Sequence, residues 1–144
     1  MPIRVIAEAE VRPTENPNKV RKAISNVFTP SRYSVIREGE WKIIRAEGYG
    51  SSSLLRLHRL LRVERILDAA RQYMKSGVVG NKIIFKLHKQ AALMGIVSFC
   101  DDEINSPLGA IRFEIECDDP KALIDWLAPR THRGSPIREY PPPD

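Results

Sequence analysis

Residues 52–76 read as helical throughout, yet they carry two apolar faces that disagree. Leu54, Leu57, Leu60 and Leu61 share a side in the first half, whereas Val63, Ile66, Leu67, Ala70, Tyr73 and Met74 share another in the second. At about 100° per residue these sides point more than roughly 120° apart, and one straight helix cannot bury both against one sheet. The pattern predicts a break or sharp kink near residues 61–63, and so two short helices in place of one rod.

Elsewhere the apolar spacing is simpler. Ile3, Val5, Ala7, Ala9 and Val11 alternate with Arg4, Glu8, Glu10 and Arg12, which marks a half-buried strand over residues 2–12. Asn16 and Pro17 form a cap and first-turn pair ahead of a helix over 17–28, with Val20, Ala23, Ile24, Val27 and Phe28 at helical spacing. Residues 33–37 and 41–47 read as a hairpin across Gly39. Gly77 and Gly80 end the second helical half, and Ile83, Phe85 and Leu87 alternate with Ile84, Lys86 and His88 as a strand. A short helical turn over 89–94 precedes strands at 96–100 and 110–117, which an acidic loop joins. Asp119 and Pro120 open a last helix carrying Leu123, Ile124, Trp126 and Leu127. The order predicts an α+β fold of two layers: one mixed, mostly antiparallel sheet of about six strands with helices packed on one face. Residues 1–128 form the single domain, and the proline-rich residues 129–144 form an extended tail.

Charge is distributed unevenly over this plan. Residues 51–90 hold Arg56, Arg59, Arg62, Arg65, Arg71, Lys75, Lys82, Lys86 and Lys89 against Glu64 and Asp68, a net +7 in a chain whose total is +5. Residues 100–119 are the acidic counterpart, with Arg112 the one basic residue among seven acids. A concentrated positive field attracts polyanions even at modest net charge, and phosphate is the partner it suggests. No stretch approaches the roughly 18 to 20 apolar residues of a membrane span, and the first ten residues lack a signal-peptide core, so a soluble, cytoplasmic protein is expected. Cys100 and Cys117 lack paired ligand spacing and read as buried free thiols, with a disulfide as the alternative if their strands are neighbours.

Several motifs carry a chemical reading beside a structural one. Gly48, Gly50, Ser51 and Ser52 lie between a strand and a helix, where free amides and hydroxyls can hold an anion; ordinary helix capping explains the same residues, and no Walker lysine is present. Gly77-Val78-Val79-Gly80 spells an RNA-clamping loop but is apolar and joins a helix to a strand, as a plain turn does. Arg56, Arg59 and Arg62 fall three apart, opposite the leucines, on a stretch from Leu54 to Val63 without acids; a solvated helix ordinarily mixes signs. Lys86, His88, Lys89 and Gln90 gather donors where a strand ends and a turn begins. His88 has no acidic residue near it in sequence to orient it as a base, and His58, His88 and His132 sit in unrelated surroundings. Asp101, Asp102 and Glu103 lack the spacing of a calcium loop. The residues assemble no catalytic, metal or cofactor site and point away from an enzyme.

The segments Phe85 to Ala92, Gly95 to Phe99 and Ser106 to Ile111, with Ile66 to Arg71 and Ile124 to Thr131, resemble the archaeal uncharacterised protein family 0201 over essentially the whole chain. The resemblance implies a two-layer fold similar to the large-subunit ribosomal protein that contacts 5S RNA. It also implies an RNA-binding role, shared with a sister group described as predicted exosome subunits. The residue at position 88 is typically asparagine in that family and is histidine here, which leaves Lys89 and Gln90 as the transferable part. Some relatives are joined to a nucleotide-kinase-like P-loop domain, which would have to be a separate partner of this chain.

The function expected is therefore RNA binding through phosphate backbone or shape, by Arg56, Arg59, Arg62, Lys86, His88, Lys89 and Gln90. The alternatives are an interaction module for a P-loop kinase-like protein, or an enzyme acting on a phosphorylated small molecule at the Gly48 to Ser52 turn. A homodimer is compatible with each.

Overall fold

Strict alternation over the first strand decides where the sheet's centre lies. In the computed structural model, which describes residues 2–39, 41–100 and 109–144, β1 (Arg4–Val11) pairs antiparallel with β3 (Trp41–Tyr49) on one side and β7 (Ala110–Glu116) on the other. β2 (Arg32–Glu38) extends the sheet beyond β3, and β5 (Lys82–His88) extends it beyond β7. The two short strands β4 (Val78–Val79) and β6 (Phe99–Cys100) both pair with the far edge of β5. Seven strands result, and every pairing among the described residues is antiparallel. The α+β architecture is as expected, with one strand more than six.

One face of this sheet makes the core. Val5 lies between Gly48 and Ile115, Ala7 between Ala46 and Phe113, and Ala9 between Ile44 and Ile111. The small alanines of β1 leave room above the centre for Phe113, which stacks on Phe85 at 5.1 Å and meets Phe28 edge-on at 5.7 Å. Five helices close over that face: α1 (Pro17–Val27), α2 (Leu55–Val63), α3 (Leu67–Ser76), α4 (Lys89–Leu93) and α5 (Pro120–Leu127). Each contributes apolar residues to one continuous cluster, among them Ile24, Leu57, Leu61, Met74, Ala92 and Leu127. Burying a side chain of the size of Leu or Phe contributes about 1.5–3 kcal/mol, so this single layer contact dominates stability. The caps read from the sequence are in place: the Asn16 side chain accepts from Asn18 N, and that of Asp119 accepts from Ala122 N.

The predicted break exists, but it occupies residues 64–66, beyond the expected 61–63. Val63 completes α2 and stays 68% exposed, so it does not join the apolar face of α3. The chain then turns through Arg65, whose φ of 56° is left-handed. Arg65 N donates to Arg62 O and Ile66 N donates to Leu61 O, the pair of bonds that ends a helix in a Schellman turn. Glycine usually occupies that left-handed position, and the arginine there hides the stop from a reading based on glycine and proline. The Glu64 carboxylate pins the bend by accepting from Val97 N at 2.9 Å.

Two further points follow from strand order. Cys100 lies in β6 and Cys117 just beyond β7, on opposite sides of β5. Two strand spacings, about 9–10 Å, exceed the Cα separation of under about 7 Å that a disulfide needs, and both thiols are free and buried. Gly77 ends α3 directly against β5, where Ile84 N donates to Gly77 O and a Cβ on Gly77 would fall 1.8 Å from Ile84 O. The tail is ordered: β8 (Thr131–His132) and β9 (Ser135–Pro136) form a small hairpin, closed by a bond from Ile137 N to Arg130 O. Among the described residues, no helix is long and apolar enough to cross a membrane.

The Arg65 conformation yields a stability prediction. A non-glycine residue in this region costs about 1–2 kcal/mol, and the greater unfolded-state freedom of glycine offsets about 0.5–1 kcal/mol of any gain. Arg65→Gly should therefore raise stability by about 0.5–1 kcal/mol, read as a higher urea midpoint at unchanged slope, while Arg65→Val should lower it.

Candidate nucleic-acid interface

A spacing of three residues drifts around a helix by about 60° per step, and this drift separates the three arginines of α2. Arg56 is exposed on the side next to α1, Arg59 is exposed one 60° step further round, and Arg62 has turned toward α5 and the tail. All five N–H groups of Arg62 are engaged. Nε and Nη2 form a fork on Glu139 at 2.9 and 2.6 Å, Nη1 donates to His58 O and Leu127 O at 2.8 and 3.0 Å, and Nη2 also donates to Trp126 O at 3.1 Å. Arg62 is a clasp between α2, the end of α5 and the tail. The single exposed ridge expected for Arg56, Arg59 and Arg62 is corrected to a pair.

Lys89 is corrected further. It is 4% exposed, and its ammonium donates to Glu10 O at 2.7 Å and to Glu15 Oε1 at 2.9 Å. Its place at the first position of α4, directly after β5, puts it inside the molecule, tying α4 to the end of β1. It is no surface donor for a phosphate.

The remaining members of that cluster divide between two faces. Ile83, Phe85 and Leu87 point into the core, so Lys86 and His88 fall on the opposite face of the sheet, where Lys86 lies beside Arg112 and His88 beside Ala110. Arg56 and Arg59 stand on the helix layer. The two basic clusters therefore do not share a face. Gln90 is exposed and lines a cavity of about 320 Å³ with Lys19, Asn16 and Thr14, at the start of α1.

The sequence reading overlooked α1. An N–H of Arg56 donates to Ser25 O, which sets α2 alongside the last turns of α1. Lys19, Arg21 and Lys22 of α1 are exposed, and neither α1 nor α2 contains an acidic residue. Arg21 also lies over the Tyr33 ring at 4.4 Å. The signal was present as an absence of acids over 17–27, matching that over 54–63, but it lay outside the charge-dense block. Together the two helices offer a basic surface with Lys22, Arg56 and Arg59 near its middle.

The expected anion turn is occupied by the chain itself. Gly48 is buried in β3, where a Cβ would come within 2.8 Å of the Phe28 ring, so its glycine serves packing. Gly50, at φ 76°, donates its N–H to Ile3 O. Ser52 is exposed, and Ser51 holds an oxyanion after all: its N–H and hydroxyl donate to the Asp144 carboxylate at 2.7 and 2.6 Å. Those hydrogen bonds from Ser51 hold the Asp144 carboxyl below the usual range, as the Arg62 fork does for Glu139. Asp101 to Glu103 lie outside the described residues, and among the described residues no three His, Cys, Asp or Glu gather to hold a metal.

His58 joins these parts. It stacks on Trp126 at 4.8 Å, and burial, then the nearby Arg62 charge, lower its pKa below the ordinary imidazole value. Above that ordinary value neither folded nor unfolded chain protonates here. As pH falls through it the unfolded chain takes the proton first, so stability declines until the folded value is passed. Urea midpoints should therefore fall between pH 7.5 and 5.5, and His58→Gln should fall less over the same interval. For Lys89, replacement by Ala should cost about 3 kcal/mol, the lower end for breaking a buried pair because Glu15 keeps some contact with water. Chemical denaturation checks it, and Lys89→Glu should not yield folded protein.

A family model described as RNA binding matches residues 4–117, which include α1, α2, β5 and α4 and exclude α5 and the tail. A UPF0201 protein of Saccharolobus solfataricus is 50% identical over 143 residues, covering 99% of each chain. A UPF0201 protein of Sulfurisphaera tokodaii is 51% identical over 140 residues, covering 97% of each. The crystal structure of the UPF0201 protein from Methanococcus jannaschii is 34% identical, with a TM-score of 0.80 over 94% of this chain and 99% of that one.

Proposed function

The chain belongs to the UPF0201 family, whose matching model is described as RNA binding, and from this premise we propose that it grips RNA by the phosphate backbone across α1 and α2. The observation that carries this reading is the acid-free pair of helices, with Lys22, Arg56 and Arg59 exposed and Lys19 and Arg21 flanking them. Each cation brought to a phosphate releases condensed counterions, so five such side chains make a binding term that needs no base contact. Among the described residues, exposed aromatic rings are few. Tyr49 and Tyr140 are the exposed tyrosines, and the ring of Tyr33 is covered by Arg21. Base stacking is therefore a minor part, and backbone or helix shape is what the surface recognises.

The opposite face of the sheet is a weaker candidate although it carries Lys86. Its cations are nearly balanced by carboxylates: Arg4, Arg32, Arg45, Lys82, Lys86 and Arg112 share the face with Glu8, Glu10, Glu47, Glu114 and Glu116, and ion pairs link Arg4, Arg32 and Arg45 to Glu47, Arg45 to Glu8, and Lys82 and Arg112 to Glu114. A face that pairs its own charges projects little field.

Charge reversal separates the two faces. Arg56→Glu with Arg59→Glu should weaken binding to a fluorescein-labelled RNA hairpin at least tenfold at low salt. It should also flatten the slope of log affinity against log salt by about one to two, with the far-UV circular dichroism of the folded protein retained. Lys86→Glu should leave binding nearly intact. Equal affinity of the double variant and the wild type would overturn the proposal, and co-purification with a protein but no nucleic acid would favour the docking alternative.

A further inference from the structure

The tail runs along the other side of α2, and its two acids sit where phosphates would. Resting on the RNA-binding reading, we propose that residues 138–144 are an internal competitor, a strap whose carboxylates occupy oxyanion positions on α2 and on the turn that leads into it, and which the RNA backbone displaces.

Lengths agree first. Ser51 and Arg62 are eleven residues apart along the short 3-10 turn (Ser51–Leu54) and α2, about 18 Å at roughly 2.0 Å per residue in the turn and 1.5 Å in the helix, a span within reach of the strap once its side chains are added. Glu139 and Asp144 are five residues apart, about 15–16 Å in the extended polyproline conformation that Pro141, Pro142 and Pro143 impose. The strap therefore crosses α2 antiparallel and reaches both anchors at once: Glu139 on the Arg62 fork, and Asp144 on the Ser51 amide and hydroxyl.

Chemistry agrees next. A helix without acids of its own receives one, Glu139, from a distant segment, and the turn before it receives another, Asp144, each held through both carboxylate oxygens. Guanidinium forks fit carboxylate and phosphate alike. Arg62 would keep its bonds to His58, Trp126 and Leu127 carbonyls after Glu139 leaves, so its remaining N–H groups stay aimed outward. No reorganisation is needed before a phosphate takes the place of Glu139.

The attachment is also weak. From Arg138 to Pro142 every residue is exposed, and the Glu139 side chain is 53% exposed even in its ion pair with Arg62. Such pairs add little in water and are screened by salt. The root of the strap is firmer, closed by the Ile137 to Arg130 bond, so release would end near Arg138.

The isosteric variant Glu139→Gln with Asp144→Asn tests this, against a control, Glu10→Gln with Asp118→Asn, that removes two exposed acids elsewhere. With the labelled RNA hairpin, the strap variant should bind three- to tenfold more tightly than the control. Its salt slope should equal the control's, because Arg62 reaches a phosphate in both once the strap has left. In the wild type, RNA should speed tryptic cleavage after Arg138. Binding by strap variant, control and wild type with equal affinity, or slower cleavage with RNA, overturns the strap and leaves the RNA reading standing. No binding by any of them overturns the RNA reading, and the strap's role with it.

Discussion

Two arginines, one on each side of the bend at residues 64–66, converge on the end of α5. Arg62 from α2 takes the carbonyls of Trp126 and Leu127, and Arg71 from α3 takes that of Ala128 together with the Asp125 carboxylate at 2.9 Å. The last carbonyls of a helix have no partner within it and carry partial negative charge, so cations are favoured there. Here they do more than cap. With α2 and α3 held to one point, the bend between them is fixed, and with it the directions in which their other basic residues face. Arg56 is left to the α1 side with Arg59 exposed beside it, and Thr131, just beyond α5, bonds Asp68 of α3.

The same logic explains why a dense positive block does not become one positive patch. Arg62, Arg71 and Lys89 are drawn inward by acids or carbonyls supplied from elsewhere in the chain. Burying a charge is unfavourable unless it is paired and hydrogen-bonded, and each of these is. Such pairs add little net stability over apolar packing, but breaking one strands its partner, so they act as registration pins between elements. Lys89 aligns α4 with β1, and Arg62, through the Trp126 and Leu127 carbonyls, aligns α2 with α5. Cations that found no internal partner of this kind are the ones left on the surface of α1 and α2.

Much of the fold was legible in the sequence because burial periodicity reports directly on which side of an element faces the core. The alternation of β1 and β5, the caps at Asn16 and Asp119, and the two faces of residues 52–76 all follow from it. Periodicity says nothing of neighbours, so the order of the strands and the separation of Cys100 from Cys117 by β5 were not readable. The position of the bend was displaced because Arg65 adopts a conformation usually left to glycine. The candidate site was half legible for a related reason. Arg62 meets Glu139 across 77 residues and Lys89 meets Glu15 across 74, and no local pattern marks a long cationic side chain as internal. Arg56 and Arg59 were found because no acid lies near them in sequence, and the same test applied to residues 17–27 would have found α1.

What remains is a question of direction, since a total of +5 is modest. On the sheet face opposite the helices, Glu47 is 7% exposed among Arg4, Arg32 and Arg45, and its carboxyl is held below the usual range chiefly by the hydrogen bond from Arg32. Glu8, Glu10, Glu114 and Glu116 on the same face bring its charge close to balance, and charges interspersed in this way largely cancel beyond a Debye length, about 10 Å at 0.1 M salt. Cations on α1 and α2 have no acid within their own helices to cancel them, so their field extends further. A polyanion is therefore steered to the helix layer although basic residues occur on both faces. The acids that do approach α2 come from the tail, on an exposed and proline-stiffened segment. Held by the fold, an acid would silence this surface permanently; held by a strap, it lowers the field only until a more highly charged chain replaces it.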